Sequence, residues 1–289
     1  MTRRPQSPLV VVDWNFLETA AARYFRRARL EAPSNWHFLI PESASHEVLE
    51  KMGDDQITAS QFLRKLFIFA REHVAHFWLA KSVGAICAES PLRRRSVRHL
   101  AAIAESQAIK PGLLRSDHDF AAFVQRGRLW EGHAAYLSAL GEFMAQTSAF
   151  RRLVRSQNLQ FKSQDFTNAE IMRMIRAPVV VKPWLPTQYI QQHALTDAQI
   201  SCFPDIIPLG RWARIVQWYK CQRCMIDENT KKDLAFSNCY ADADAVFLAS
   251  YTGYLLTNDK DQREAAIAVR PDLIIWGWNM TKRSLYRVR

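Results

Sequence analysis

The chain has 289 residues, 48% hydrophobic and 11% aromatic, and its 39 Lys+Arg against 28 Asp+Glu leave a net charge of +11. This composition excludes a disordered chain and supplies enough apolar mass for one large domain or two modest ones. No apolar run approaches the ~20 residues of a membrane span, the segment after Arg3 and Arg4 is too short for a signal peptide, and five scattered cysteines fit a reducing compartment, so a cytoplasmic protein without a membrane partner is expected.

Along the chain, Leu9-Val10-Val11-Val12 is continuously apolar and mostly β-branched, which predicts a strand buried on both faces. Phe16, Ala20, Tyr24 and Ala28 then repeat at helical spacing over 16–31, and Pro33-Ser34 ends that helix. A second strand is expected over 36–40, with Pro41 in the first turn of a helix running to about 52, where Gly53 stops it. From 56 to 236 helical patterns dominate, over 57–88, 92–108, 117–126, 130–157, 165–176 and 209–225. Breaks fall at Pro91, Pro111-Gly112 and Gly127, and prolines crowd 177–208. Beyond 237 the spacing predicts a helix over 242–251 ended by Gly253, a strand over 254–257, a helix over 261–269 and a last strand over 273–276.

Strands alternating with helices predict an α/β fold, a parallel sheet flanked by helices. Residues 1–55 plus 237–289 are expected to form one discontinuous domain. Residues 56–236 read as a large all-helical basic insertion, part of which completes that domain. The charge divides the same way: 56–236 hold 25 Lys+Arg against 14 Asp+Glu, while the two ends together hold 14 of each. A field concentrated in the middle favours a polyanionic partner, because phosphate contacts release counterions and speed association.

The acidic residues carry the functional signal. Asp13 closes the first strand, Glu47 lies in the helix after the second, Asp242 and Asp244 open the helix that precedes the third, and Asp259 follows that strand. In parallel sheets, sites form outside the carboxyl ends of strands where the strand order reverses. Hard oxygen ligands gathered on one rim suit Mg²⁺ or Mn²⁺.

At these residues the chain resembles the PIN-domain nucleases. That family opens with a strand ending in Asp-x-Asn, here Asp13-Trp14-Asn15. Its second acid, on a helix after strand two, matches best with Glu47 in Glu47-Val48-Leu49, with Glu42 and Glu50 as alternatives. A third acid begins a helix rich in Ala and Leu, here Asp242-Ala243-Asp244-Ala245-Val246, and a fourth follows a strand, within Thr-x-Asp, here Thr257-Asn258-Asp259-Lys260-Asp261. The similarity covers both ends of the chain and none of 56–236, and the family's central segment is usually much shorter. It implies a PIN-like fold and phosphodiester hydrolysis, of RNA before DNA, with Asp13, Glu47, Asp242 and Asp259 catalytic. Mg²⁺ or Mn²⁺ is expected on Asp13, Asp242, Asp244 and Asp259, with Asn15, Thr257 and Asp261 supporting them. Either Asp242 or Asp244 fits as the third acid, Asp242 being preferred for its distance to Gly253. The family includes toxins of toxin–antitoxin pairs, so a homodimer and a protein inhibitor are partners the resemblance implies. A catalytically silent scaffold and a flap-type DNA nuclease are the alternatives, and a helical domain recruiting a partner is a third.

Arg93, Arg94, Arg95 and Arg98, together with Arg211 and Arg214 interleaved with Trp212, Trp218 and Tyr219, form the expected nucleic-acid grip. The same residues also read as a solvated face and a packed core. Cys221-x-x-Cys224 has zinc-like spacing but no second pair, and His73 and His76 sit among apolar neighbours. No Gly-rich phosphate loop and no Ser-His-Asp or Cys-His arrangement is recognisable.

Overall fold

Four apolar, mostly β-branched residues in a row suit a strand with protein on both faces, and Leu9–Val12 (β1) lies at the centre of the sheet with Val10, Val11 and Val12 fully buried. The computed structural model describes residues 8–13, 16, 36–43, 77–88, 100, 138, 141, 191, 194, 196, 208, 211–212, 214–216, 218–219, 234–279, 281–282 and 284–288. The elements after β1 are β2 (His37–Ile40), β3 (Phe77–Leu79), α1 (Val83–Ala88), α2 (Leu234–Thr252), β4 (Tyr254–Leu256), α3 (Lys260–Val269), β5 (Ile274–Asn279) and β6 (Ser284–Arg287).

The six strands form one sheet in the order β3-β2-β1-β4-β5-β6. All neighbours are parallel except β5 and β6. The register sets Val11 opposite both Leu39 and Leu255, so the amino-terminal strand is held between two partners far apart in sequence. Strand order runs one way from β1 through β2 to β3 and the other way from β4 outward. The reversal therefore falls between β1 and β4, whose carboxyl ends are where parallel sheets place their sites. The Asp13 N–H extends the ladder by donating to the Leu256 carbonyl at 3.0 Å, which fixes Asp13 on that rim.

The α/β class is as expected, and several elements differ from the sequence reading. α2 begins at Leu234 rather than 242, because no Gly or Pro interrupts the eight residues before Asp242. Asp242 and Asp244 therefore lie inside a helix and do not open one, and the domain boundary drawn at 236/237 falls inside α2. The helix expected over 57–88 is replaced in its last third by β3, a turn and α1. The middle of the chain is therefore not all helical, and it supplies an edge of the sheet. Ala80, Val83, Ile86, Leu100, Ile215, Trp218 and Tyr219 share one core with β1, β4 and α2, so these parts of 56–236 complete the α/β domain. β6 was not expected at all. The remaining helices expected at 16–31, 41–52 and within 56–236 lie mostly outside the described residues.

α2 is buried on every side from Asp242 to Ser250, as a helix packed between a sheet and further layers must be. Its end is defined by Gly253 at φ 82°, a left-handed position that glycine adopts without cost. Two guanidinium groups meet the last carbonyls: Arg211 and Arg270 donate to the Ser250 carbonyl at 2.9 and 3.0 Å. Cations there oppose the negative end of the helix dipole.

Candidate active site

Each acid is placed by a different element. Asp13 ends β1, Asp242 projects from α2, and Asp259 ends the turn after β4 and caps α3 by accepting the Gln262 N–H at 2.8 Å. Asp13 and Asp242 are 5% and 7% exposed. They meet through one side chain: Gln262 Nε2 donates to Asp13 Oδ1 at 3.2 Å and to Asp242 Oδ1 at 3.3 Å. The other Asp13 oxygen accepts the Thr257 hydroxyl at 3.1 Å, and the Thr257 oxygen accepts the Asp259 N–H at 3.0 Å. One chain of contacts thus runs from Asp259 through Thr257 to Asp13, and from there through Gln262 to Asp242. It ties together the carboxyl ends of β1 and β4, the middle of α2 and the first turn of α3.

The two acids of α2 are separated by this geometry. Residues two apart on a helix point to nearly opposite sides, so while Asp242 faces Asp13, Asp244 accepts the Ser43 N–H at 3.1 Å. Ser43 lies in the helical turn just after β2, where unpaired N–H groups attract an anion. Of the two candidates for the third acid, Asp242 is the one joined to Asp13 through Gln262, while Asp244 anchors the chain leaving β2. Asp261 is exposed on the first turn of α3, away from the buried chain of contacts. Glu47, Asn15, Arg93, Arg94, Arg95 and Arg98 lie outside the described residues, as do His73, His76, Cys221 and Cys224.

Arg211 and Arg214, expected in a nucleic-acid grip, are engaged within the fold. Arg211 bonds Ser250 and stacks its guanidinium 4.3 Å from the centre of the Tyr251 ring, and Arg214 is 5% exposed. Their aromatic neighbours are committed as well: Trp212 packs edge-on against Tyr240 and Phe247, and Trp218 against Tyr219. These side chains join the middle of the chain to α2.

Two residues that the sequence reading did not assign to the site belong to it. Gln262 stands three residues after the capping Asp259, the spacing of a capping box, in which its side chain would return to the cap's N–H. Thr257 already holds that N–H, so the Gln262 amide is released toward the acids. Tyr219, 1% exposed, has a hydroxyl with no hydrogen-bond partner among the described residues. Burial holds its phenol well above the ordinary 10.0, and the charges of Asp242, Cys239, Asp259 and Asp13 raise it further.

Among the described residues, no three Asp, Glu, His or Cys side chains close around a common point as a finished metal cage would require. The donor chemistry still suits a hard cation, with two buried carboxylates joined by an amide whose own oxygen, Gln262 Oε1, is buried without a partner. No protein-family model, curated protein or solved structure matches the chain.

Proposed function

We propose that this protein is a divalent-metal-dependent nuclease with a PIN-like α/β domain, acting on RNA in preference to DNA. The observation that carries the reading is the pairing of Asp13 with Asp242 through one neutral amide, where strand order reverses and Asp259 follows the neighbouring strand. Two buried carboxylates held this close are costly unless positive charge stands with them, and a bound cation would supply it.

Asp13 and Asp242 would hold Mg²⁺ or Mn²⁺, with Asp259 beside them and Glu47 as the fourth acid. A bound ion supplies Lewis acidity toward the phosphate and lowers the pKa of water to near neutrality. The residues of this chain do the positioning. Thr257 locks the Asp13 carboxylate in one orientation, Asp259 fixes the start of α3, and burial keeps the Tyr219 phenol protonated. The positive excess of 56–236 would draw the polyanion to the domain.

A second reading, a catalytically silent scaffold, draws on the Gln262 bridge, which satisfies the two carboxylates without an ion. The experiment is cleavage of labelled RNA and DNA with Mg²⁺ or Mn²⁺ by the wild-type protein and by Asp13→Asn. RNA cleavage that requires metal and is lost in a folded Asp13→Asn variant is expected. Equal cleavage by both proteins overturns the site, and no cleavage with any metal favours the scaffold.

A further inference from the structure

Gln262 is fully buried, and both protons of its side-chain amide are aimed at carboxylates from opposite ends of the chain. Its oxygen has no partner among the described residues. Only the nitrogen can donate, so the two acids dictate which way round the amide sits. An amide's two ends have nearly the same shape, and the last torsion of a glutamine has two broad, roughly equivalent wells. Half a turn about that torsion exchanges the atoms, directing oxygen where nitrogen now lies and leaving the backbone in place.

The Tyr219 hydroxyl is a second buried polar atom without a partner among the described residues, and the charges of Asp242, Asp259 and Asp13 add to the burial that raises its phenol. A buried amide oxygen left over from a bridge between two carboxylates is a polar atom that a further ligand would satisfy.

Resting on the reading of a cation-dependent site given above, we propose that Gln262 is a two-position element of that site. Its nitrogen bridges Asp13 and Asp242 when no cation is present, and its oxygen turns to ligate Mg²⁺ or Mn²⁺ when one binds. In the first position it holds two like charges together without neutralising them. In the second it adds a neutral oxygen to the ligand set, the donor class that hard divalent ions accept alongside carboxylates. The site then stays assembled whether or not it is loaded.

The test uses the whole protein and needs no substrate. Mn²⁺ affinity is read from the free-ion paramagnetic resonance signal, and thermal midpoints are measured in EDTA and in Mn²⁺, for the wild type, Gln262→Met, Gln262→Glu and Asp13→Asn. Gln262→Met, which keeps length and removes both polar atoms, is expected to lower the midpoint in EDTA and to weaken Mn²⁺ binding about tenfold or more. Gln262→Glu adds a third carboxylate, so it should also lose stability in EDTA, but gain a larger Mn²⁺-induced rise than wild type. A bridge with no ligand role predicts the opposite for Gln262→Met, because removing a competitor for the acids leaves Mn²⁺ affinity unchanged or tighter. That result overturns the proposal, as does a Gln262→Glu protein whose Mn²⁺-induced rise is no larger than that of wild type. Asp13→Asn separates the two levels. If it abolishes Mn²⁺ binding while Gln262→Met retains it, only the role of Gln262 falls. If the wild type itself binds no Mn²⁺, the nuclease reading falls and this inference falls with it.

Discussion

Replacing Thr257 with valine keeps the shape of a fully buried side chain and removes one hydroxyl that makes two hydrogen bonds, at 3.1 Å to Asp13 and 3.0 Å from the Asp259 N–H. A bond to an ionised group contributes about 1.5–3 kcal/mol and one to a backbone amide about 1 kcal/mol, so Thr257→Val should cost roughly 3 kcal/mol. Thr257→Ser keeps both bonds and loses one buried methyl, which costs about 1 kcal/mol. For a chain of this size each kcal/mol lowers the thermal midpoint by roughly 2–4 °C, so the valine variant should melt about 6–12 °C below wild type. Urea unfolding followed by circular dichroism gives the two free energies directly. Equal losses in the valine and serine variants, within about 0.5 kcal/mol, would refute the reasoning, since the hydroxyl would then not be what joins β4 to Asp13.

Other substitutions probe other links of the fold. Gly253→Ala should cost about 1–2 kcal/mol in urea unfolding, because φ is 82° and the new Cβ would stand 3.3 Å from the Arg270 guanidinium, while Gly253→Asn should cost less. In Gly277→Ala the methyl would meet the Tyr286 ring at 2.9 Å; the ring is partly exposed and can swing away, so a loss of about 1 kcal/mol that disappears in a Tyr286→Ala background is expected from a double-mutant cycle. Because the Tyr219 phenol is held high, the unfolded chain ionises first as pH rises past 10.0, so stability falls above that pH, and thermal melts should show a shallower alkaline decline in Tyr219→Phe. Asp272 is the reverse case. Hydrogen bonds from Arg270 lower its carboxyl below the ordinary 3.8, so its contribution is present above that pH and lost as pH falls through the lowered value; since the carboxylate is exposed, Asp272→Asn should flatten the acid limb of the stability curve only slightly.

The central strands and the acid-bearing turns were legible because their signals are local. An uninterrupted apolar quartet ending in Asp13, and Thr257-Asn258-Asp259 between a strand and a helix, each specify their structure within a few residues. What the sequence hid depends on distant partners. Phe77-Trp78-Leu79 is a short apolar run inside a helix-like stretch, and periodicity cannot separate a buried strand from a buried helix at that length. The start of α2 was misplaced because Asp242 and Asp244 look like helix-opening residues, and only burial against β1 and the turn after β2 explains acids in mid-helix. β6 is a half-polar edge strand whose one local cue is Asn279, which accepts the Lys282 N–H at 2.8 Å in the turn before it. Gln262 carried the signal of a capping box, and its site role follows from Thr257 having taken the cap's amide.

The pairing of β1 with β4 also has a temporal meaning. Asp13 and Thr257 touch across 244 positions of chain. At about 5–20 residues per second of synthesis, roughly 12–50 s separate their appearance from the ribosome. Throughout that interval the first strand lacks one neighbour, and Asp13 waits for the Asp242, Thr257 and Gln262 side chains that hold it in the finished fold.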